Sequence, residues 1–137
     1  MIFDTSIVLQ VLKDRSFFES LREKINEEVK ITSITVYELL RGAAYIKLRY
    51  GRDYEYNLVR NFVDDIEILP FTSRDSEVSA MIWAKLRERG YEVSDADIMS
   101  SAISIREGDK LMTLDRDFEY IRNVAELDVD ILKFGAE

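Results

Sequence analysis

The 137-residue chain has no cysteine, no histidine and one proline. Without cysteine there is no disulfide framework, no thiol nucleophile and no cysteine-built zinc site. Without histidine there is no Ser-His-Asp triad and no imidazole base. The five glycines, Gly42, Gly51, Gly90, Gly108 and Gly135, lie too far apart for a P-loop or a G-x-G-x-x-G turn. Long apolar runs are missing too, all falling well short of the roughly 18 residues that a membrane span needs. Asp4 follows Met-Ile-Phe at once, leaving no basic and apolar stretch for a secretory leader. These absences predict a cytoplasmic chain with no membrane segment. Cations are in the minority: 19 Lys and Arg against 27 Asp and Glu give a formal charge of −8. That balance argues against a sequence-blind nucleic-acid coat, whose affinity comes from neutralising phosphates.

What remains points to one domain over residues 1–137, because 47% apolar residues at this length suffice for a sizeable core. Any catalysis then falls to carboxylates, hydroxyls, Lys or Arg, and carboxylates suit a hard, oxygen-loving cation. The order of elements predicts an α/β fold. Ile2-Phe3 is a short apolar stub, followed by a helical pattern through Ile7, Val8, Val11 and Leu12. Apolar periodicity predicts further helices over residues 17–28, 35–50, 53–65, 73–89 and 94–107, with one turn over 117–121. Strands are expected over 29–32, 66–71, 110–114 and 128–132. Such alternation indicates a sandwich around a mainly parallel sheet.

In open sheets of this kind, ligands bind where strand ends lead into helices. Four acids fall in such places. Asp4 ends the first strand, Glu38 and Asp97 lie in first turns of helices, and Asp115 directly follows the strand ending at Leu114. Each also has a local explanation. Asp4 suits an N-cap, Thr35-Val36-Tyr37-Glu38 matches a capping box, Ser94 to Asp97 is a looser one, and Asp115 suits an Asx-turn. Taken together, unpaired acids held close repel one another, and a divalent cation resolves that repulsion.

The residues that carry these acids resemble the PIN-domain family, and within it the VapC-type toxins of prokaryotic toxin–antitoxin pairs. The resemblance rests on Ile2 to Ser6, Ser33 to Gly42, Gly90 to Ile98 and Leu111 to Phe118, four stretches in order across nearly the whole chain. It implies a three-layer α/β/α sandwich and a metal-dependent endoribonuclease leaving a 3′-hydroxyl and a 5′-phosphate. By the same likeness Asp4, Glu38, Asp97 and Asp115 are the catalytic acids. Asp4, Asp97 and Asp115 would hold one or two Mg²⁺ or Mn²⁺ ions, and Glu38 would be a ligand or a water-orienting base. Thr5, Ser6 and Thr113 match supporting hydroxyls. Asp95 and Asp117 stand beside the motif acids as outer groups that compete for their roles, with Asp115 against Asp117 left open. Gly42 matches a small residue that lets a backbone or substrate approach. The resemblance also implies a small VapB-like antitoxin and a homodimer.

Two surfaces complete the reading. Arg41, Lys47 and Arg49 stand among Tyr37, Tyr45, Tyr50, Tyr54 and Tyr56, an alternation that suits first a packed helical hairpin or subunit interface and second RNA contacts. Val8, Val11, Leu12, Phe17 and Phe18 offer either a partner groove or core, and Trp83 either core or a dimer contact. A haloacid-dehalogenase-like phosphotransferase would need a second acid where Ser6 stands, and a receiver domain an acidic pair that is missing. The remaining alternative is a catalytically silent PIN-like module that binds RNA or protein.

Overall fold

Alternation along five very short strands divides the apolar residues between two cores. The strands β1 (Ile2–Phe3), β2 (Lys30–Thr32), β3 (Glu67–Leu69), β4 (Leu111–Thr113) and β5 (Val129–Ile131) form one parallel sheet in the order β3-β2-β1-β4-β5. The register sets Ile2 beside Leu111 and Leu111 beside Val129, so these three share one face. Phe3 and Met112, one residue on, pair on the other face. The computed structural model describes residues 1–133, and the expected domain's last stretch, including Gly135, lies outside the described residues.

Seven helices connect the strands among the described residues: α1 (Thr5–Lys13), α2 (Arg15–Lys24), α3 (Ser33–Tyr50), α4 (Tyr54–Asp64), α5 (Ser73–Glu88), α6 (Asp95–Glu107) and α7 (Phe118–Arg122). Helices α1 to α4 cover the Phe3 face through Ile7, Val8, Leu21, Leu39, Ala43 and Val59. Helices α5 to α7 cover the Ile2 face through Ile82, Leu86, Ile98, Ile103, Phe118 and Ile121. The result is the expected three-layer α/β/α sandwich on a parallel sheet. No described helix is long and apolar enough to cross a membrane.

Local chemistry sets the helix ends. Asp14 accepts from the N–H groups of Ser16 and Phe17, so α2 starts two residues before the apolar periodicity does. Thr32 accepts from the Thr35 N–H at 3.1 Å and starts α3 earlier than expected, which leaves Glu38 without its capping role. A full capping box forms elsewhere, between Thr72 and Asp75 at the start of α5. Gly51 and Gly108 take φ of 68° and 63° and close α3 and α6, a conformation open to glycine at little cost.

The chain builds β1, β2 and β3 outward in one direction, then returns to place β4 and β5 on the other side of β1. This reversal makes a switch point between β1 and β4, and the crevice lies at their carboxyl ends.

Candidate metal centre

Asp4 leaves β1 at that switch point and is almost wholly buried. Its Oδ2 accepts from Thr113 Oγ1 at 2.8 Å, Ser6 Oγ at 2.9 Å and the Ser6 N–H at 3.4 Å. Thr113, the fully buried last residue of β4, also accepts the Asp115 N–H at 2.9 Å. Ser6 Oγ accepts the Leu114 N–H at 2.9 Å. Two hydroxyls therefore lock the ends of β1 and β4 together and hold Asp4 and Asp115 in fixed relation.

The loop after β4 adds a second acid. The Asp117 N–H donates to Asp115 Oδ1 at 2.9 Å, which is the expected Asx-turn. Asp97 arrives from the first turn of α6, whose N-cap Ser94 accepts the Asp97 N–H at 3.2 Å. Carboxylate oxygens of Asp97, Asp115 and Asp117 all lie within 4.8 Å of one another. Glu38 approaches from α3, its Oε1 accepting from Thr5 Oγ1 at 2.6 Å. Thr5 Oγ1 in turn lies 3.0 Å from Thr35 Oγ1.

The electrostatics follow from this crowding. Burial and the charges of Asp4, Asp115 and Glu38 push Asp97 from an ordinary 3.8 up to about 8, against the Ser94 hydrogen bond. Burial also raises Asp4, outweighing its hydrogen bonds from Thr113 and Ser6. Among the described residues no Lys or Arg makes an ion pair with Asp4, Asp97, Asp115 or Asp117, while Glu38 has a long one, 3.8 Å from Arg41 Nη2. An all-oxygen donor set of mutually repelling carboxylates fits a hard divalent cation.

The structure thus gathers Asp4, Glu38, Asp97 and Asp115 at one crevice with Thr5, Ser6 and Thr113, and brings Asp117 into the tightest group. Asp95 is not in that group; it is exposed and lines a separate cleft with Phe71, Trp83 and Met99. The box expected between Thr35 and Glu38 gives way to the Glu38–Thr5 bond, because Thr32 caps α3 instead. Only the Ser94 half of the looser box forms.

Elsewhere the open readings divide. Val8 is core, Leu12 and Phe17 pack on the core, and Val11 and Phe18 line an apolar cavity of about 240 Å³ with Leu21, Ile25, Phe62 and Ile66. Trp83 and Met81 are exposed, so neither is core. A Cβ built on Gly42 meets nothing within 4 Å, so among the described residues no other element packs there.

A parallel sandwich with clustered carboxylates at its switch point defines a class of acid-lined α/β protein. Within that class the PIN domain family matches residues 1–124, and the chain belongs to it. It is similar to "Ribonuclease VapC3" of Methanocaldococcus jannaschii, 27% identical over 105 residues, 74% of this chain and 95% of that protein. Its fold is similar to a Rickettsia felis VapBC2 complex bound to a promoter DNA fragment, with a TM-score of 0.79 and 19% identity over 97% of this chain and 100% of that one. It is also similar to a DNA-bound VapBC complex of Salmonella typhimurium, with a TM-score of 0.79 and 23% identity over 95% and 96% of the two chains.

Proposed function

We propose that the chain is a metal-dependent endoribonuclease, the VapC-like toxin of a type II toxin–antitoxin pair acting in the cytoplasm. The observation that carries this reading is Asp97: half-buried beside Asp4, Asp115 and Glu38, it has no ion pair with a cation among the described residues. Asp4, Asp97 and Asp115 would hold one or two Mg²⁺ or Mn²⁺ ions, and Asp117, whose carboxylate lies within 4.8 Å of those of Asp97 and Asp115, is placed to share in holding one. When bound, such an ion supplies a water of near-neutral pKa and stabilises the charge that develops on the phosphodiester. The chain's own residues prepare the geometry. Thr113 and Ser6 fix Asp4, and Thr113 fixes the backbone of Asp115. Thr5 holds the Glu38 carboxylate, which orients the attacking water. Asp97 would release its proton to solvent when such an ion is taken up.

The similarity to a protein named a ribonuclease and to VapBC complexes supports the substrate class and an antitoxin partner. We place a VapB-like antitoxin over the apolar cavity at Val11 and Phe18, and a second copy of the chain in a homodimer.

End-labelled structured RNAs incubated with Mg²⁺ or Mn²⁺, with EDTA, and with Asp97→Asn test the reading. Cleavage is expected only with metal and with Asp97 intact, while the variant keeps its circular dichroism spectrum. Undiminished cleavage by the variant or in EDTA refutes the assignment. Absence of cleavage by folded protein with any metal favours the silent binding module.

A further inference from the structure

The aromatic and basic side chains along α3 and α4 do not form one surface. Lys47 is committed within the chain: its Nζ lies 4.9 Å from the centre of the Tyr56 ring and 3.7 Å from Asp53 Oδ1. It ties the end of α3 to α4. The start of α3 is arranged differently. The Arg41 guanidinium lies 5.2 Å from the centre of the Tyr37 ring, and its Nη2 lies 3.8 Å from Glu38 Oε2. Tyr37 and Arg41 are four residues apart and Glu38 and Arg41 three, so the helix itself stacks them.

This group faces outward beside the acids. Tyr37 is 61% exposed and makes no hydrogen bond through its hydroxyl among the described residues. Open space follows at Gly42, and one turn beyond Arg41 stands Tyr45, also exposed. With Lys47 taken up by Asp53, helix α3 still sets two cations, Arg41 and Arg49, against its single acid Glu38, on a chain whose formal charge is −8. The other Glu38 oxygen is bound by Thr5 at the edge of the carboxylate cluster. Arg41 therefore sits on the boundary between the metal centre and a basic, aromatic face.

We propose that Tyr37 and Arg41 position the nucleotide next to the scissile phosphate. Tyr37 stacks an unpaired base, and Arg41 leaves Glu38 to bind the flanking phosphate. This deepens the ribonuclease reading and rests on it. An exposed aromatic face accepts any base, but only one whose own face is free, so the pair selects unpaired nucleotides without fixing their sequence. The choice of Arg over Lys follows the same logic. A planar guanidinium stacks on the ring while its edge donates to phosphate oxygens, which an ammonium does not match. Charge decides the occupant: a cationic rim on an acidic protein suits a polyanion.

Binding separates this inference from the reading beneath it. The full chain carrying Asp97→Asn is mixed with a labelled RNA hairpin and with a fully paired duplex of the same composition, and anisotropy is read. A 2-aminopurine in the hairpin loop reports stacking. The hairpin is expected to bind more tightly, with its 2-aminopurine quenched. Adding Tyr37→Ala is expected to weaken hairpin binding by roughly tenfold, to abolish the quenching and to leave duplex binding unchanged. Tyr37→Phe keeps both, and Arg41→Lys weakens hairpin binding while the quenching persists. Unchanged hairpin affinity and quenching in Tyr37→Ala overturn the proposal. So does conversion of a dimer to a monomer by Tyr37→Ala with RNA binding intact, which makes this face a subunit contact. If the Asp97→Asn chain binds no RNA, the ribonuclease reading fails and takes this inference with it.

Discussion

Helix α6 meets an acid at least partly withdrawn from water near each of its ends, and the two are treated in opposite ways. Near its C-terminal end, Arg106 reaches Asp75 of α5, which is 1% exposed. Asp75 also accepts from the Thr72 N–H at 2.8 Å and Thr72 Oγ1 at 3.0 Å, and Arg106 donates to the Pro70 carbonyl at 3.2 Å. Every charge there is answered inside the chain. At the N-terminal end, Asp97 is half-buried beside Asp4, Asp115 and Glu38 and is answered by one hydrogen bond to Ser94 and by repulsion. Depth of burial does not mark a functional acid, since Asp75 is the more deeply buried of the two. What separates them is whether the chain supplies the countercharge.

Opposite effects on stability are expected from removing the two acids, and this is the strongest test of the contrast. Asp75→Ala leaves Arg106 without its partner and strips the cap of α5, and is expected to cost about 3 kcal/mol. Asp97→Asn removes a carboxyl that must take up a proton on folding at neutral pH, so the metal-free chain is expected to become more stable while cleavage is lost. Urea unfolding of both variants without metal measures the difference. Loss of stability in both would make the Asp97 cluster a structural network like that of Asp75.

Acid titration sharpens the same contrast. Asp97 binds its proton up to about pH 8 in the folded chain and only to about its ordinary 3.8 when unfolded. Between those values the unfolded state binds fewer protons, so the stability of the metal-free chain falls as pH rises from about 4 to about 8. The raised Asp4 acts in the same direction. Melting temperatures at pH 5 and pH 8 are expected to show this fall, and Asp97→Asn is expected to remove most of it. Saturating Mg²⁺ flattens it by favouring the charged set, with affinity rising over the same pH window. A metal-free chain that gains stability between pH 5 and pH 8 contradicts the arrangement.

Much of this was legible before any coordinates, for reasons that differ by residue. Asp4, Asp97 and Asp115 stand at strand ends or first helical turns, where a parallel α/β topology places ligands, so their convergence follows from element order. Gly51 and Gly108 mark helix ends because the left-handed conformation needs them. Local spacing failed where two candidates overlap. Thr32 and Thr35 each begin a plausible cap, and only backbone geometry chose Thr32, freeing Glu38 for Thr5. Asp117 joined the central group because its carboxylate comes within 4.8 Å of those of Asp97 and Asp115; the expected Asx-turn fixes only its backbone N–H and leaves the side-chain direction open. The Asp75 network was missed although Thr72-x-x-Asp75 is itself a capping signature, because the decisive partner, Arg106, is 31 residues away.

The smallest expected effect tests whether the division between what the fold needs and what an occupant needs extends along α3. Gly42 lies inside that helix, where alanine is favoured over glycine by roughly 1 kcal/mol, and an added Cβ meets nothing within 4 Å. Gly42→Ala is therefore expected to raise stability by up to about 1 kcal/mol, unlike Ala at Gly108, whose φ of 63° strains any side chain. If RNA crosses α3 one turn beyond Glu38, the same methyl group meets it, and cleavage falls by a few-fold as stability rises. Opposite signs in one variant assign the glycine to an occupant, because no defect of folding lowers activity while raising the unfolding midpoint. A gain in both, or in stability with cleavage unchanged, moves the RNA off Gly42 and confines its track to Tyr37 and Arg41.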